Sequence, residues 1–365
     1  MTHNTVLVAG VSGVVGYAAA KHFAALDDWD VIGVARRPPD DLEDVRMLSV
    51  DLTDPAACRT AFTPLRGVTH LIYAALYERP NLIAGWREAE QIETNDQMLQ
   101  NLFEPLQDAA TGLRHVTLLQ GTKAYGGHVE RFRAPARERD SRYDIENFYW
   151  RQEDYLREAR IGAAWRWTIV RPQIIFGRSL GSAMNLIPAL GVYAALLAAD
   201  GEPLHFPGGP PSIQEAVDAD LLARMMHWAA VDEAAHDEIF NVTNGDVFVW
   251  ENVWPAIADA LGMEPGERRP ISMTESVATR GGDWDTIRQH HGLRSPSIDA
   301  FVGKSFQYAD AILGTGASPD RVMSPSLVST VKLRQAGFTE FMDTEEMFRK
   351  WFHLFQAEHL LPHPP

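Results

Sequence analysis

TVLVAGVSGVVG, residues 5–16, decides how the rest of the chain is read. A short run of β-branched and small residues ends at Gly10, and Gly13 and Gly16 follow at three-residue spacing. Behind them VVGYAAAKHFAAL (14–26) has the composition of a helix. A strand that ends in a glycine turn and opens a helix forms a phosphate cradle. Gly10 permits the tight turn, the missing side chains let backbone N–H groups approach a pyrophosphate, and the helix N-terminus favours the anion. The spacing is G-x-x-G-x-x-G rather than G-x-G-x-x-G, so the position after the first strand carries as much of the signal as the glycines do.

Outward from that stretch, short apolar runs alternate with longer amphipathic ones. WDVIGVA (29–35), RMLSV (46–50), THLIYAA (69–75), RHVTLLQ (114–120), RWTIVR (166–171) and EIFNVTNG (238–245) read as further strands. Helical patterns lie at 54–62, 89–109, 146–160, 217–231 and 249–262. Alternation of this kind predicts an α/β fold, a Rossmann-type doubly wound parallel sheet covered on both faces. After residue 176 the regularity weakens, and a smaller, mostly helical C-terminal substrate lobe is expected over the open strand ends, where ligands bind in such sheets. The expected division is 1–178 with 212–243 returning to it for the cofactor domain, and 179–211 with 244–365 for the substrate lobe.

Composition narrows the partners. The formal net charge is −16, which argues against nucleic acid and anionic membrane surfaces. A single cysteine, Cys58, excludes an intrachain disulfide framework and a multi-cysteine metal site. His290, His291, His353, His359 and His363 lack metal-ligand spacing and read as surface residues, so no metal is expected. IPALGVYAALLAA (187–199) is too short to span a bilayer. The N-terminus lacks the pattern of a signal peptide, and a cytoplasmic protein is expected.

The second strand bears on the cofactor. An enzyme that uses NAD usually carries Asp or Glu about twenty residues past the glycines. Here VARRPPDD places Arg36 and Arg37 after the strand, with Asp40 and Asp41 beyond two prolines. Two guanidiniums suit a 2′-phosphate, so NADPH is the expected cofactor; the alternative is a pair of solvated loop arginines. Asp51 and Leu52, after the third strand, are expected at the adenine edge.

These pieces resemble the extended short-chain dehydrogenase/reductase superfamily. TNDQMLQNLFEPL (94–106) resembles its Asn-containing central helix, with Asn95 in the Asn position, and IVRPQIIFG (169–177) its Arg-Pro…Gly segment. The catalytic region departs from that pattern. Gly121 stands where a Ser or Thr is usual, and Glu153 stands four residues after Tyr149, where a Lys is usual. The only literal Tyr-x-x-x-Lys, Tyr17 to Lys21, lies on the wrong element.

GTKAYGG (121–127) and NFYWRQED (147–154) resemble two motifs of the progesterone 5β-reductase/iridoid synthase-like family, as do MNL (184–186) and FNVTNGDVFVW (240–250). In that family the catalytic Lys comes from the loop after strand five and the Tyr from the following helix. The resemblance therefore implies Tyr149 and Lys123 as the catalytic pair, with Trp150 replacing the family's second Tyr. It also implies NADPH-dependent reduction of the C=C bond of α,β-unsaturated carbonyl compounds, and a possible homodimer. Tyr149 would stabilise the enolate oxygen, and Lys123 would tune Tyr149 and hold the nicotinamide ribose. Glu153 opposes phenol ionisation and cannot replace the lysine electrostatically; accepting a hydrogen bond and capping nearby groups both remain open to it.

The full cofactor set expected is Gly10, Ser12, Gly13, Val14, Val15, Gly16, Arg36, Arg37, Asp51, Leu52, Ala74, Ala75, Gln120, Gly121, Pro172, Ile174 and Ile175. For the substrate, Phe148, Asn185, Tyr193 and Phe338 are named, each also readable as packing. Two rival functions stand beside the enone reductase: a nucleotide-sugar epimerase or dehydratase, and a non-catalytic NADPH-binding sensor.

Overall fold

A computed structural model describes residues 3–129, 132–318, 320 and 323–364. Seven strands build the main sheet: β1 Asn4–Ala9, β2 Trp29–Ala35, β3 Val45–Ser49, β4 His70–Tyr73, β5 His115–Leu119, β6 Arg166–Pro172 and β7 Glu238–Val242. Across the sheet they run β7-β6-β5-β4-β1-β2-β3, and every neighbouring pair is parallel. Val6, Leu7, Val8 and Ala9 of β1 are all fully buried, as expected of a central strand covered on both faces. The order reverses between β1 and β4, so the crevice for a ligand opens at the C-terminal end of β1.

Helices that cover this sheet include α1 Val14–Ala24, α2 Pro55–Phe62, α3 Ala89–Ala109, α4 Phe148–Ala159 and α5 Ala219–Val231. Strand side chains alternate between the faces. Leu7, Ala9, Ile32, Val34, Leu71, Val116 and Ile169 point to one core with Phe62, Leu99, Leu102, Phe103 and Leu156 of α2, α3 and α4. On the other face α1 packs on α5. Local signals start the helices: Asp54 accepts from Ala56 and Ala57 N–H at 2.9 and 3.1 Å, with Pro55 in the first turn.

By its own contacts the chain divides into two units. The first comprises Met1–Gln173, Ala219–Val242 and Val328–Glu340; the second comprises Ile174–Asp218, Thr243–Leu327 and Phe341–Pro365. These bounds differ from the sequence expectation at 174–178, 212–218, Thr243 and 328–340. Ile174–Phe176 and Ala216–Asp218 pair as short parallel strands, which takes both stretches into the second unit. Val328–Glu340 joins the first unit: Ser329 N–H donates to Ala136 O at 2.8 Å, and Phe338 packs on Trp228 of α5. The second unit has Leu186–Ala199 as a buried helix, with Trp250–Ala260 and Thr344–Ala357 among its others. Among the described residues no helix is long and apolar enough to cross a membrane.

The α1/α5 face holds several histidines. His22 and His227 lie 3.2 Å apart, and the His70 ring sits 4.6 Å from that of Trp29. Burial, then neighbouring His227, pushes His22 down to about 4; burial, then Arg114, does the same to His70. Both lie below the unfolded value of about 6.5, so the unfolded chain binds protons more tightly. The stabilisation is complete above about pH 6.5 and is lost as pH falls toward about 4. Urea unfolding is therefore expected to give a stability that holds near neutral pH and falls across that window, less steeply in His70→Gln. A slope in His70→Gln equal to the wild type's would contradict the assignment.

Candidate active site around Tyr149 and Lys123

The turn after β1 is drawn tight by backbone. Gly10 and Val11 N–H both donate to Val34 O, at 2.8 and 3.2 Å, and Gly10 has φ +91°. A Cβ on Gly10 would lie 2.8 Å from Ala74 C and O, and one on Gly16 only 2.2 Å from Gly10 O. Side chains are thus excluded where β4 and α1 close on the turn. Gly13 caps α1 without a side-chain bond, which leaves the first-turn N–H groups of a helix for an anion. A dinucleotide pyrophosphate fits this donor set. Ser12, Arg36 and Arg37 are exposed, and Val14 and Val15 are buried against the sheet. Asp51 accepts from Thr53 N and Oγ1 at 3.0 and 2.8 Å; these bonds and Arg36 nearby hold its carboxyl below the usual range. Leu52 is buried, and its carbonyl accepts from Asn101 at 2.9 Å.

Tyr149 lies in the first turn of α4 and is 6% exposed. Its hydroxyl is 3.4 Å from where a Cβ on Gly121 would stand, with Pro172 O 3.7 Å from the same point. The phenol therefore faces the end of β5, beside the position usually held by Ser. Lys123 lies in the 3₁₀ turn Thr122–Tyr125 that follows. One side chain joins the two segments: Asn147 Oδ1 accepts from Tyr149 N–H, and its Nδ2 donates to Lys123 O, both at 3.0 Å. Asn147 is at once the N-cap of α4 and the tether of the lysine turn. An Asn just before an amphipathic run is a cap signal legible in sequence; the second bond is not.

Glu153 sits one turn along α4 and is buried. Its Oε2 accepts from Arg171 Nη2 at 3.1 Å, while Arg157 and Arg142 reach Oε1 at 3.0 and 3.1 Å. Arg171, at the end of β6, also donates through Nε to Gln120 Oε1 at 2.8 Å, and Gln120 Nε2 donates to Tyr149 O at 3.0 Å. The carboxylate in the lysine position is thus the counter-ion of a buried arginine, within a relay that ends on the backbone of Tyr149. The Trp150 ring lies near two guanidiniums, 5.2 Å from Arg142 and 5.8 Å from Arg171.

The remaining expected residues separate. Phe148 packs edge-on against Tyr149 at 4.5 Å, in a cluster with Ile92, Ala124 and Trp150. Ala74 and Ala75 border Gly10, and Gln120, Gly121 and Pro172 lie around Tyr149. Ile174 and Ile175 belong to the second unit. Three of the four substrate residues have packing or structural bonds of their own. Asn185 caps the helix Leu186–Ala199 and donates to Gly177 O and Ser179 Oγ at 2.7 and 3.0 Å. Tyr193 donates to His205 O at 3.0 Å, and Phe338 packs at a tilt against Trp228 on the opposite face of the sheet from α4. His290, His291, His353, His359 and His363 are exposed, and among the described residues no group of three His, Cys, Asp or Glu could hold a metal.

A family model for the PRISE-like Rossmann-fold domain matches residues 59–362. The chain belongs to the PRISE family, the progesterone 5β-reductase/iridoid synthase-like proteins. Among PRISE-like relatives, the (S)-8-oxocitronellyl enol synthase of Nepeta racemosa is 33% identical over 375 residues, covering 98% of this chain and 92% of that protein. The 3-oxo-Delta(4,5)-steroid 5-beta-reductase of Arabidopsis thaliana is 34% identical over 375 residues, with the same 98% and 92% coverage. In fold this PRISE chain is similar to the UDP-glucose 4-epimerase of Thermus thermophilus, with a TM-score of 0.67 at 18% identity, covering 97% of this chain and 99% of that one.

The Glu153 network gives a direct test. Glu153→Gln leaves Arg171 buried without its counter-ion and is expected to cost about 3 kcal/mol in urea unfolding. Glu153→Lys, which recreates the Tyr-x-x-x-Lys spacing, sets a cation against three arginines and should cost more. Replacing both Glu153 and Arg171 by Met should recover part of the loss. Equal stability of Glu153→Lys and wild type would refute the assigned role.

Proposed function

We propose that this protein is an NADPH-dependent enone 1,4-reductase, acting on the C=C bond of α,β-unsaturated carbonyl compounds. The observation that carries this reading is the Asn147 bridge, which ties the Tyr149 helix to the Lys123 turn through two 3.0 Å hydrogen bonds. Membership of the PRISE family supports the same reaction class, since its relatives include a steroid 5β-reductase and an enol synthase. Arg36 and Arg37, exposed at the end of β2 with no carboxylate between them and the strand, support a 2′-phosphate and hence NADPH.

The chemistry that NADPH supplies when bound is hydride donation to the β-carbon. As the enone becomes an enolate, negative charge gathers on its carbonyl oxygen. Tyr149 donates a hydrogen bond to that oxygen, and the bond strengthens in the transition state more than in the ground state. Lys123 contributes positive charge that makes the phenol the better donor. Glu153 is neutralised by its arginines, so the carboxylate near Tyr149 does not cancel the effect of the lysine. Water can protonate the α-carbon, and no second acid is required of the protein.

NADPH oxidation with small and large enones, with product analysis, tests this. Wild type should form the saturated ketone, and Tyr149→Phe should lose about 10²–10³-fold in kcat/KM with NADPH still bound. An allylic alcohol would indicate carbonyl reduction instead. Tightly held NAD in the purified protein would move the assignment to a nucleotide-sugar epimerase, and NADPH binding without any turnover to a sensor. Replacing Arg36 and Arg37 together by Ala should raise the KM for NADPH about tenfold and leave that for NADH unchanged, because only the 2′-phosphate contact is lost. Equal effects on both cofactors would refute the 2′-phosphate assignment.

A further inference from the structure

Lys123 is one of five lysines in the chain, with Lys21, Lys304, Lys332 and Lys350. Its Nζ is buried and has no hydrogen-bond partner among the described residues, yet two groups close on it. Glu78 Oε1 lies 3.7 Å away, beyond hydrogen-bond range but within an ion pair, and the centre of the Trp86 ring lies 4.1 Å away. That distance puts the ammonium over the indole face, where a cation is attracted to the ring. Glu78 is itself fixed: Gln91 Nε2 donates to its Oε2 at 2.6 Å and Trp86 Nε1 to its Oε1 at 3.3 Å. Gln91 Oε1 and Asn95 Oδ1, both on α3, accept from Arg79 and Tyr77 N–H at 3.0 and 2.8 Å. The loop after β4 is therefore pinned to α3 on both sides of Glu78.

We propose that Glu78 and Trp86 are positioning residues that keep Lys123 an ammonium and fix where it points. Burial of an amine favours its neutral form, and a carboxylate beside it opposes that. In Lys123 burial is the larger effect and lowers the pKa, with Glu78 acting against it. Among the described residues the other groups around the lysine do not take over. Burial holds His128 down to about 4, so it is neutral where enzymes work; Arg87 is bound to the His128 carbonyl, and Arg79 is paired with Glu88 and Glu90. Among the described residues Glu78 is thus the carboxylate on which the charge of Lys123 depends. The catalytic consequence rests on the enone-reductase reading, in which that charge improves Tyr149 as a donor.

The experiment titrates the five lysine Cε signals in protein carrying ¹³C-labelled lysine, with Lys123 assigned by its loss in Lys123→Arg. In Glu78→Gln the Lys123 signal should titrate about one pH unit lower than in wild type, with Glu78→Asp restoring most of the difference. The alkaline limb of kcat/KM for enone reduction should move with it. Trp86→Phe should give a smaller shift in the same direction, and it keeps the test open if Glu78→Gln fails to fold. An unmoved Lys123 signal in folded variants would overturn the proposal. A moved signal with an unmoved alkaline limb would overturn its catalytic part. If wild type reduces no enone, the functional reading fails, and the titration alone still decides whether Glu78 holds the charge.

Discussion

Arg171 carries its guanidinium into the protein at the end of β6, where it is almost wholly buried and must find a carboxylate. Glu153 meets that need from α4, and the consequences spread through the site. A lysine at position 153 would stand against Arg171, Arg157 and Arg142. The helix that carries Tyr149 therefore has no place for a cation one turn on. The same arginine holds Gln120, and Gln120 holds the carbonyl of Tyr149, so the ion pair that excludes the lysine also fixes the tyrosine backbone.

With position 153 of α4 taken by a carboxylate, the lysine of the proposed pair lies on a separate segment. The 3₁₀ turn after β5 carries Lys123, and Asn147 joins that turn to α4 through its two hydrogen bonds. Gly121 completes the rearrangement by leaving the phenol an approach with no side chain at the end of β5. The three departures from the superfamily pattern, at positions 121, 123 and 153, are connected by contacts and act as one design. Trp150 belongs with them, since its indole lies near the guanidiniums of Arg142 and Arg171 and has no phenol to compete with Tyr149.

Some contributions were legible from residues alone. The seven strands follow from short β-branched runs at regular intervals, because a parallel sheet buried on both faces demands continuous apolar segments. The phosphate cradle follows from Gly10 and Gly16, whose missing Cβ atoms are what the close approach of β4 and α1 requires. Tyr149 and Lys123 came from a resemblance between short motifs and not from periodicity or spacing. Three of the residues expected at the substrate are read less directly: an Asn before an apolar helix or an aromatic in a mixed segment looks the same whether it lines a pocket or packs. Asn185, Tyr193 and Phe338 each have local partners that the chain order does not reveal.

The sequence by itself determined the fold class and the glycine turn at the end of β1, and pointed to the segments proposed to bear the chemistry, because these depend on patterns within a dozen or so neighbouring residues. Only the tertiary structure decided what Glu153 does and what surrounds Lys123. Glu153 meets Arg171 from eighteen positions away, and Lys123 meets Glu78 across forty-five, through contacts made when separate strands are laid side by side. The return of Val328–Glu340 to the first unit was decided in the same way, by a pairing with Ala136 that no local pattern encodes. A charge shows its sign in a sequence; its partner, and therefore its role, is set by the fold.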